Sequence, residues 1–502
     1  MKKIQYIFIL LCGCLLSLSC SDDLIAKLPL DQNNVESFWT SETNVSSAIT
    51  GCYQQLIEPY KSPWTWKLED ITPNAYEIDG RDSSREISLG LNSPTNQVPK
   101  QRYKICYRGI GRANTVLNNI DLVPMDESLK NRYKAEARFL RAFFYHNLIE
   151  FFGGVPLILD APDNNTQGQL PRNTKAEVLD VIYTDLDAAI AGLPISYAAA
   201  DKGRITKGTA LAFKARTALY NMDWTEALSA AQAVVDLNVY ALFPDYRRLF
   251  LVENERNDEV IFDIGFTMPE VSNNYHEMYI EGNVLKDLPD SYLMTDGKPA
   301  EISSLYNPLN PYANRDPRLN QTLITLGSMY NGNLVTGNEL FMDLTGFSFK
   351  KYTYLLDDAG GVAPLPGQSE INPIVIRYAE VLLTIAEAEN ELNGPTVRAY
   401  DAINQVRNRP SVNMPDVTPG LSQEDFRDAL RLERRIEFAG EGLYFNDIIR
   451  WRTAETVMNA DGLDSEGQLI ETRRFNPQRD YLWPIPQADI LLNTNLEQNP
   501  GY

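Results

Sequence analysis

The chain has 502 residues, 44% of them hydrophobic, enough to bury a large core, and its length is a prior for about three domains. Its formal net charge is −21, and removing residues 1–19 takes away only Lys2 and Lys3, so the remainder carries −23. Such a surface repels polyanions: nucleic-acid binding, which needs a basic footprint to displace counterions, is excluded, and strongly anionic polysaccharides are disfavoured without a local basic pocket.

Lys2 and Lys3 precede an almost wholly apolar stretch from Tyr6 to Leu18, the pattern of a secretory signal. The stretch is too short to span a bilayer, which takes about 20 apolar residues. It closes on Ser17-Leu18-Ser19-Cys20, which resembles a loose lipoprotein box. Residues 1–19 therefore read as a leader and Cys20 as an acylated new N-terminus. The following Ser21-Asp22-Asp23 resembles the tag that directs lipoproteins to the outer face of a Gram-negative outer membrane. Several acyl chains on one residue anchor a protein without a transmembrane helix. The alternative is ordinary secretion with cleavage nearby, although Cys12 and Cys14 lie too early in the apolar run to mark good cleavage sites. No later apolar run reaches spanning length. Beyond the leader Cys20, Cys52 and Cys106 remain, and the last two either form one disulfide or stay as packed thiols, the commoner outcome in helix-like sequence.

Thr40 or Ser41 caps a predicted helix that runs to about Leu56, with Pro59 limiting its end. Residues 60–100 lose periodicity and collect prolines and glycines, so a long loop is expected there, of the kind that is usually functional. Helical spacing returns at Tyr103, Tyr107 and Ile110, and more clearly where Tyr133, Ala137, Leu140, Phe144, Leu148 and Phe151 share one face. Gly153-Gly154-Val155-Pro156 stops that helix. Thr174 and Glu177 have the spacing of a capping box at the start of the next. Residues 207–221 and 223–237 read as a helical hairpin whose small residues, Ala215, Ala218, Ala227 and Ala231, allow close approach as in a tetratricopeptide repeat. A weaker copy runs from Arg377 through Gly394 to Arg407. Between them, alternation at Val260, Phe262 and Ile264 and at Phe347 and Phe349 predicts short strands in otherwise irregular sequence. A further helix spans Ser422 to about Phe438, and the last 25 residues read as mostly extended. The expected architecture is mainly α: helical hairpins with long irregular insertions and a few short strands. Only His146 and His276 are present, in unrelated contexts. His146 and Glu150 share a helix face, yet a lone histidine on so apolar a stripe reads as packing rather than as a metal ligand. No phosphate loop and no dinucleotide fingerprint occur, and no cofactor is expected.

Several ordered segments resemble the SusD/RagB family of outer-membrane nutrient-binding lipoproteins. They are Ala137-Arg138-Phe139-Leu140-Arg141-Ala142-Phe143-Phe144-Tyr145 leading to Phe152-Gly153-Gly154-Val155-Pro156-Leu157, and Arg204-Ile205-Thr206-Lys207-Gly208. In the second half they are Arg315-Asp316-Pro317-Arg318-Leu319, Arg377-Tyr378-Ala379-Glu380-Val381, and Glu433-Arg434-Arg435 through Phe445-Asn446-Asp447 to Trp451. Leu482-Trp483-Pro484-Ile485-Pro486 and Asn499-Pro500-Gly501-Tyr502 complete the set. The resemblance implies a SusD-like fold with an N-terminal region at 20–238 and a C-terminal region at 257–502. It also implies no catalytic activity, surface capture of a nutrient oligomer, usually a glycan, and service as the lid of a SusC-like TonB-dependent transporter. Tyr103 stands where many relatives carry tryptophan, which reads as a packing substitution.

A sugar-binding surface needs flat rings beside planar polar groups. The 60–82 segment holds that mixture, with Trp64, Trp66, Asp70, Asn74, Tyr76 and Arg81 as candidate ligand contacts, and a second cluster contributes Tyr275 and Tyr279. The group Arg434, Arg435, Glu437, Glu441, Asp447, Arg450 and Trp451 reads instead as ion pairs and stacking that lock two helices together. The leading expectation is a glycan-binding surface lipoprotein that is not an enzyme. The alternatives are a repeat scaffold that binds peptides or proteins, and a helical glycosidase built on two carboxylates.

Overall fold

The computed structural model describes residues 38–61, 64–77, 83–162, 166–342 and 344–502, so residues 1–19, expected to be a leader, and Cys20 lie outside the described residues. Ser41, in extended backbone, accepts the amide of Asn44 and opens α1 (Glu42–Gln54). The expected long loop is interrupted by short helices: α2 (Ile57–Lys61), α3 (Trp64–Ile71) and a single turn at Ser84–Ser88, before α4 (Gln97–Asn119). Helix α1 ends before Pro59, as expected, and Pro59 itself stands in the first turn of α2, where its missing N–H costs nothing. Helices this short show too few apolar repeats to reveal a period.

Helix α5 (Glu127–Phe152) packs on α4 and on α6 (Lys175–Gly192), whose Thr174–Glu177 capping box forms as the spacing predicts. Close packing of α4 on α5 depends on Gly109, where a Cβ would overlap the Phe144 ring. Tyr103 is buried between Tyr107 and Phe152, as a packing residue. The predicted hairpin is α7 (Lys207–Tyr220) and α8 (Trp224–Asp236), turned at Met222, which has φ 58, and capped by Asp223. Its copy is α9 (Tyr378–Asn393) and α10 (Val397–Arg407), and α8 packs directly on α9, so hairpins distant in sequence stack as neighbouring repeats. Helix α11 (Gln423–Glu437) packs on α9, and α12 (Tyr444–Arg450) follows it. Cys52 and Cys106 are free and buried, which decides between the two states left open by the sequence.

The strands are short, and they join distant parts of the chain. β1 (Ala75–Tyr76), β2 (Val260–Asp263), β3 (Asn283–Val284), β4 (Leu323–Thr325), β5 (Phe347–Phe349) and β6 (Ile374–Arg377) form two antiparallel sheets. One has the order β1-β3-β5-β4, in which Ala75 faces Val284 and Asn283 faces Ser348. The other pairs β2 with β6 through a bulged register. The last residues are irregular apart from a short helix at Gln487–Leu492, and they return to the end of α5. There the Trp483 amide donates to the Phe151 carbonyl at 2.6 Å, the Asn499 side chain donates to the Phe152 carbonyl at 3.0 Å, and Arg172 donates to the Glu497 carbonyl at 2.8 Å. Among the described residues no helix is long and apolar enough to cross a membrane.

Candidate functional site

The 60–82 segment and the stretch that follows Tyr275 and Tyr279 meet at residues 74–76 and 283–285. β1 pairs with β3, and the Leu285 amide donates to the Asn74 carbonyl at 3.0 Å. On the stretches that lead into this pair lies an open groove of about 540 Å³, within the size range of ligand sites. Glu58 and Lys61 of α2 form one wall, Gln101, Lys104 and Arg108 of α4 the other, with Ile105 and Asn274 completing it. Gln101, Lys104 and Arg108 stand at helical spacings of three and four and so share a face, while Val98, Cys106 and Ile110 turn into the core. Arg108 and Glu58 approach to 3.5 Å across the groove, and both side chains are about half exposed. A pair so hydrated contributes little to stability, so both groups are free to exchange each other for ligand hydroxyls. Asn274 is braced from behind: its amide donates to Glu277 Oε2 at 3.3 Å, and Glu277 in turn accepts the Gly367 amide. Burial raises the Glu277 carboxyl above its ordinary range, and the Gly367 amide partly opposes this.

These are planar amides, a guanidinium, a carboxylate and two ammonium groups around an aliphatic floor. Such a set addresses pairs of neighbouring hydroxyls, donating to some and accepting from others. Among the described residues no group of three or more His, Cys, Asp or Glu side chains is placed to hold a metal ion. Gln101, Lys104 and Arg108 escape sequence reading because an exposed polar stripe looks the same on any amphipathic helix.

The structure redistributes the residues expected to line the site. The side chains of Trp64 and Trp66, which open α3, and the whole of Arg81 lie outside the described residues. Asp70, Asn74, Tyr76 and Tyr275 do not present side chains to solvent, a correction to the expectation. Asn74 is fully buried: its amide donates to Glu69 Oε2 at 2.8 Å and its oxygen accepts Arg435 Nε at 2.9 Å. Glu69 also accepts the amides of Gly440 at 3.1 Å and Gly442 at 2.8 Å, so this polar set staples the end of α3 to the turn between α11 and α12. Asp70 is buried, with its carbonyl accepting Arg473 at 3.2 Å, and Tyr76 is buried in β1. Tyr275 is 1% exposed and packs edge-on against Tyr352 at 5.1 Å. Polar and aromatic composition is read as a wet surface, whereas here it is buried: residues 69–74 bind Arg435, Gly440, Gly442 and Arg473, and Tyr275 packs on Tyr352. Tyr279 is half-buried in a ring cluster with Tyr330, Phe341 and His276, beside exposed Ile280.

The arginine and carboxylate group is structural, as its spacing predicts, and it extends well beyond two helices. Arg434 holds Asp447 at 2.9 Å, and Arg450 forks onto Glu387 at 2.6 and 2.7 Å. Arg377 reaches Glu259, Glu437 and Glu441, and Arg318 and Arg409 also converge on Glu437. Burial alone would raise the Glu437 carboxyl, but the three guanidiniums overcome it and hold the group well below the usual carboxylate range. His146 is buried with Nδ1 3.2 Å from Thr217 Oγ1, and burial, aided by Arg216, drives it well below the ordinary imidazole value. Glu150 is occupied by Asn221 at 3.1 Å and Lys175 at 3.3 Å, so the His146–Glu150 pair is packing.

A profile of the SusD family matches residues 252–502, and one described as "Starch-binding associating with outer membrane" matches residues 27–219. SusD-like protein P2 of Formosa agariphila is 29% identical over the whole of both chains. A SusD-like carbohydrate binding protein from Bacteroides fragilis is 29% identical and superposes over 92% of this chain and 100% of its own with a TM-score of 0.84. A laminarin binding SusD-like protein, 25% identical, covers 92% of this chain and 100% of its own with a TM-score of 0.72.

Proposed function

The chain belongs to the SusD family, and on that footing we propose that it is a non-catalytic oligosaccharide-binding lipoprotein of the outer-membrane surface, lid to a SusC-like TonB-dependent transporter. The observation that carries the binding part is the groove of about 540 Å³ between α2, α4 and Asn274, in a chain whose relatives include a carbohydrate-binding and a laminarin-binding protein. Arg108, Gln101, Glu58 and Asn274 supply the hydroxyl contacts, with Trp64, Trp66 and Tyr279 as the aromatic contributors from the two adjoining segments. Acylated Cys20, after removal of residues 1–19, supplies the tether.

Titration calorimetry of the protein against a panel of oligosaccharides that includes laminaritetraose and maltotetraose tests the reading. Arg108→Ala combined with Asn274→Ala is expected to weaken binding at least tenfold without lowering the melting temperature. Binding of no member of the panel, or wild-type affinity in that double variant, would refute it. Copurification of a transporter with the acylated protein tests the lid role, and its absence would remove that part alone.

A further inference from the structure

A hollow of about 300 Å³ opens where the loop between α6 and α7, the residues leaving α8 and the entry to β2 converge, and it shares no lining residue with the groove. One wall is apolar. Ile195 and Val239 are 46% and 45% exposed, and Tyr240 stands beside them, its ring stacked on that of Tyr378 at 6.5 Å and its edge filling the space that Gly208 leaves. The opposite side is polar and rigidly held. The Arg256 guanidinium lies against Gly203 and Gly265, where a Cβ would stand 2.9 Å and 3.0 Å from it. Its backbone has φ 56, a left-handed conformation that side chains other than glycine, asparagine and aspartate seldom adopt and that persists where the surroundings enforce it. Arg256 donates to the Lys202 carbonyl at 3.3 Å, and its Nε lies 3.6 Å from Asp263, beyond hydrogen-bond reach. The guanidinium is therefore fixed in place without being saturated. Lys202 and Asp258 stand exposed among the lining residues, and among the described residues neither side chain makes an ion pair.

A third lining cation, Arg204, is already taken by Glu136 at 2.9 Å and Asp201 at 2.8 Å, which leaves Lys202 and Arg256 against Asp258 and Asp263, so an anion or a cation would gain from one pair and lose to the other. A neutral polyol suits both: its C–H face covers the aliphatic and aromatic wall, and its hydroxyls donate to Asp258 and accept from Lys202 and Arg256. The volume stands at the lower end of the range for ligand pockets. We propose that this hollow is a second carbohydrate site, seating a single sugar ring, so that two short oligosaccharides, or one polymer long enough to reach both places, occupy hollow and groove together. The inference rests on the reading of the groove as a carbohydrate site. Its consequence is avidity: a polymer held at one site meets the other at high effective concentration.

The test is titration of the full chain with laminaritetraose and maltotetraose, and then with laminarin and soluble starch. Two sites per protein are expected for the tetraose that binds. Val239→Trp, which fills the hollow from an exposed position, and separately Asp258→Ala, reduce this to one site. Arg108→Ala with Asn274→Ala removes the other. Val239→Trp is further expected to weaken binding of the matching polymer at least tenfold while leaving tetraose affinity at the groove unchanged. A single site in the unaltered protein that only the groove variant abolishes would overturn this inference and leave the groove reading intact. Two sites that Val239→Trp and Asp258→Ala both leave unchanged would overturn it as well. No binding of any probe removes the groove reading and the inference with it.

Discussion

Replacing Glu387 with glutamine tests the claim that the buried arginine network holds the helical body together. Glu387 lies on α9, takes both ends of the Arg450 guanidinium at 2.6 and 2.7 Å, and accepts Trp451 Nε1 at 2.8 Å. Burial opposes its ionisation, but Arg450, with Arg434 behind it, lowers its pKa from 4.5 to about 2. A carboxyl depressed by folding stabilises the native state above its unfolded value, and that contribution fades as pH falls through the folded value. The depression corresponds to about 3 kcal/mol at neutral pH, and to about 2 kcal/mol at pH 3.5, because the unfolded chain has by then begun to take up the proton. Loss of one member of a buried pair costs about 3–5 kcal/mol in comparable cases, which agrees. The assay is denaturant unfolding of wild type and Glu387→Gln between pH 7 and pH 3.5, with Glu424→Gln in the first turn of α11 as control. Glu387→Gln is expected to lose about 3 kcal/mol at pH 7, with a gap that narrows on acidification. A loss under about 0.5 kcal/mol, the size of an ordinary surface substitution, or a gap that widens as pH falls, would refute the reasoning.

Gly109→Ala should reverse the usual helix rule. In an open helix it gains about 1 kcal/mol, but here the added methyl meets the Phe144 ring and the cost of overpacking, about 1–3 kcal/mol, wins; a melting temperature at or above wild type would contradict this. Burial pushes the Cys52 and Cys106 thiols up to about 12, so neither supplies thiolate at neutral pH. Ellman's reagent should find them unreactive in the native protein and quantitatively reactive in denaturant, and fast native labelling would show that one of them is open to solvent.

The hairpins were legible because small residues such as Ala215, Ala218, Ala227 and Ala231 recur at helical spacing, and local pattern suffices to write a helix. The strands at 260–263 and 347–349 could be read from alternation, but not their partners: β1 is two residues long, and its pairing with residues 283–284 depends on contacts far apart in sequence. The site was harder to read. Asn74 and Tyr275 have the chemistry of ligand contacts, and only tertiary structure reveals that Glu69, Arg435 and Tyr352 have already claimed them. The groove residues of α4 carry no unusual residue type, so their role comes from what stands opposite them.

The return of residues 483–499 to the end of α5 also sets an order of events in folding. The carbonyls of Phe151 and Phe152 and the Phe151 ring, whose centroid lies 4.4 Å from that of Trp483, are completed by groups more than 300 residues downstream. A nascent chain stopped short of Trp483 exposes this helix end, however well the earlier helices have formed. Closing so long a loop is slow, so the N-terminal half stays unsealed until the final stretch of polypeptide arrives.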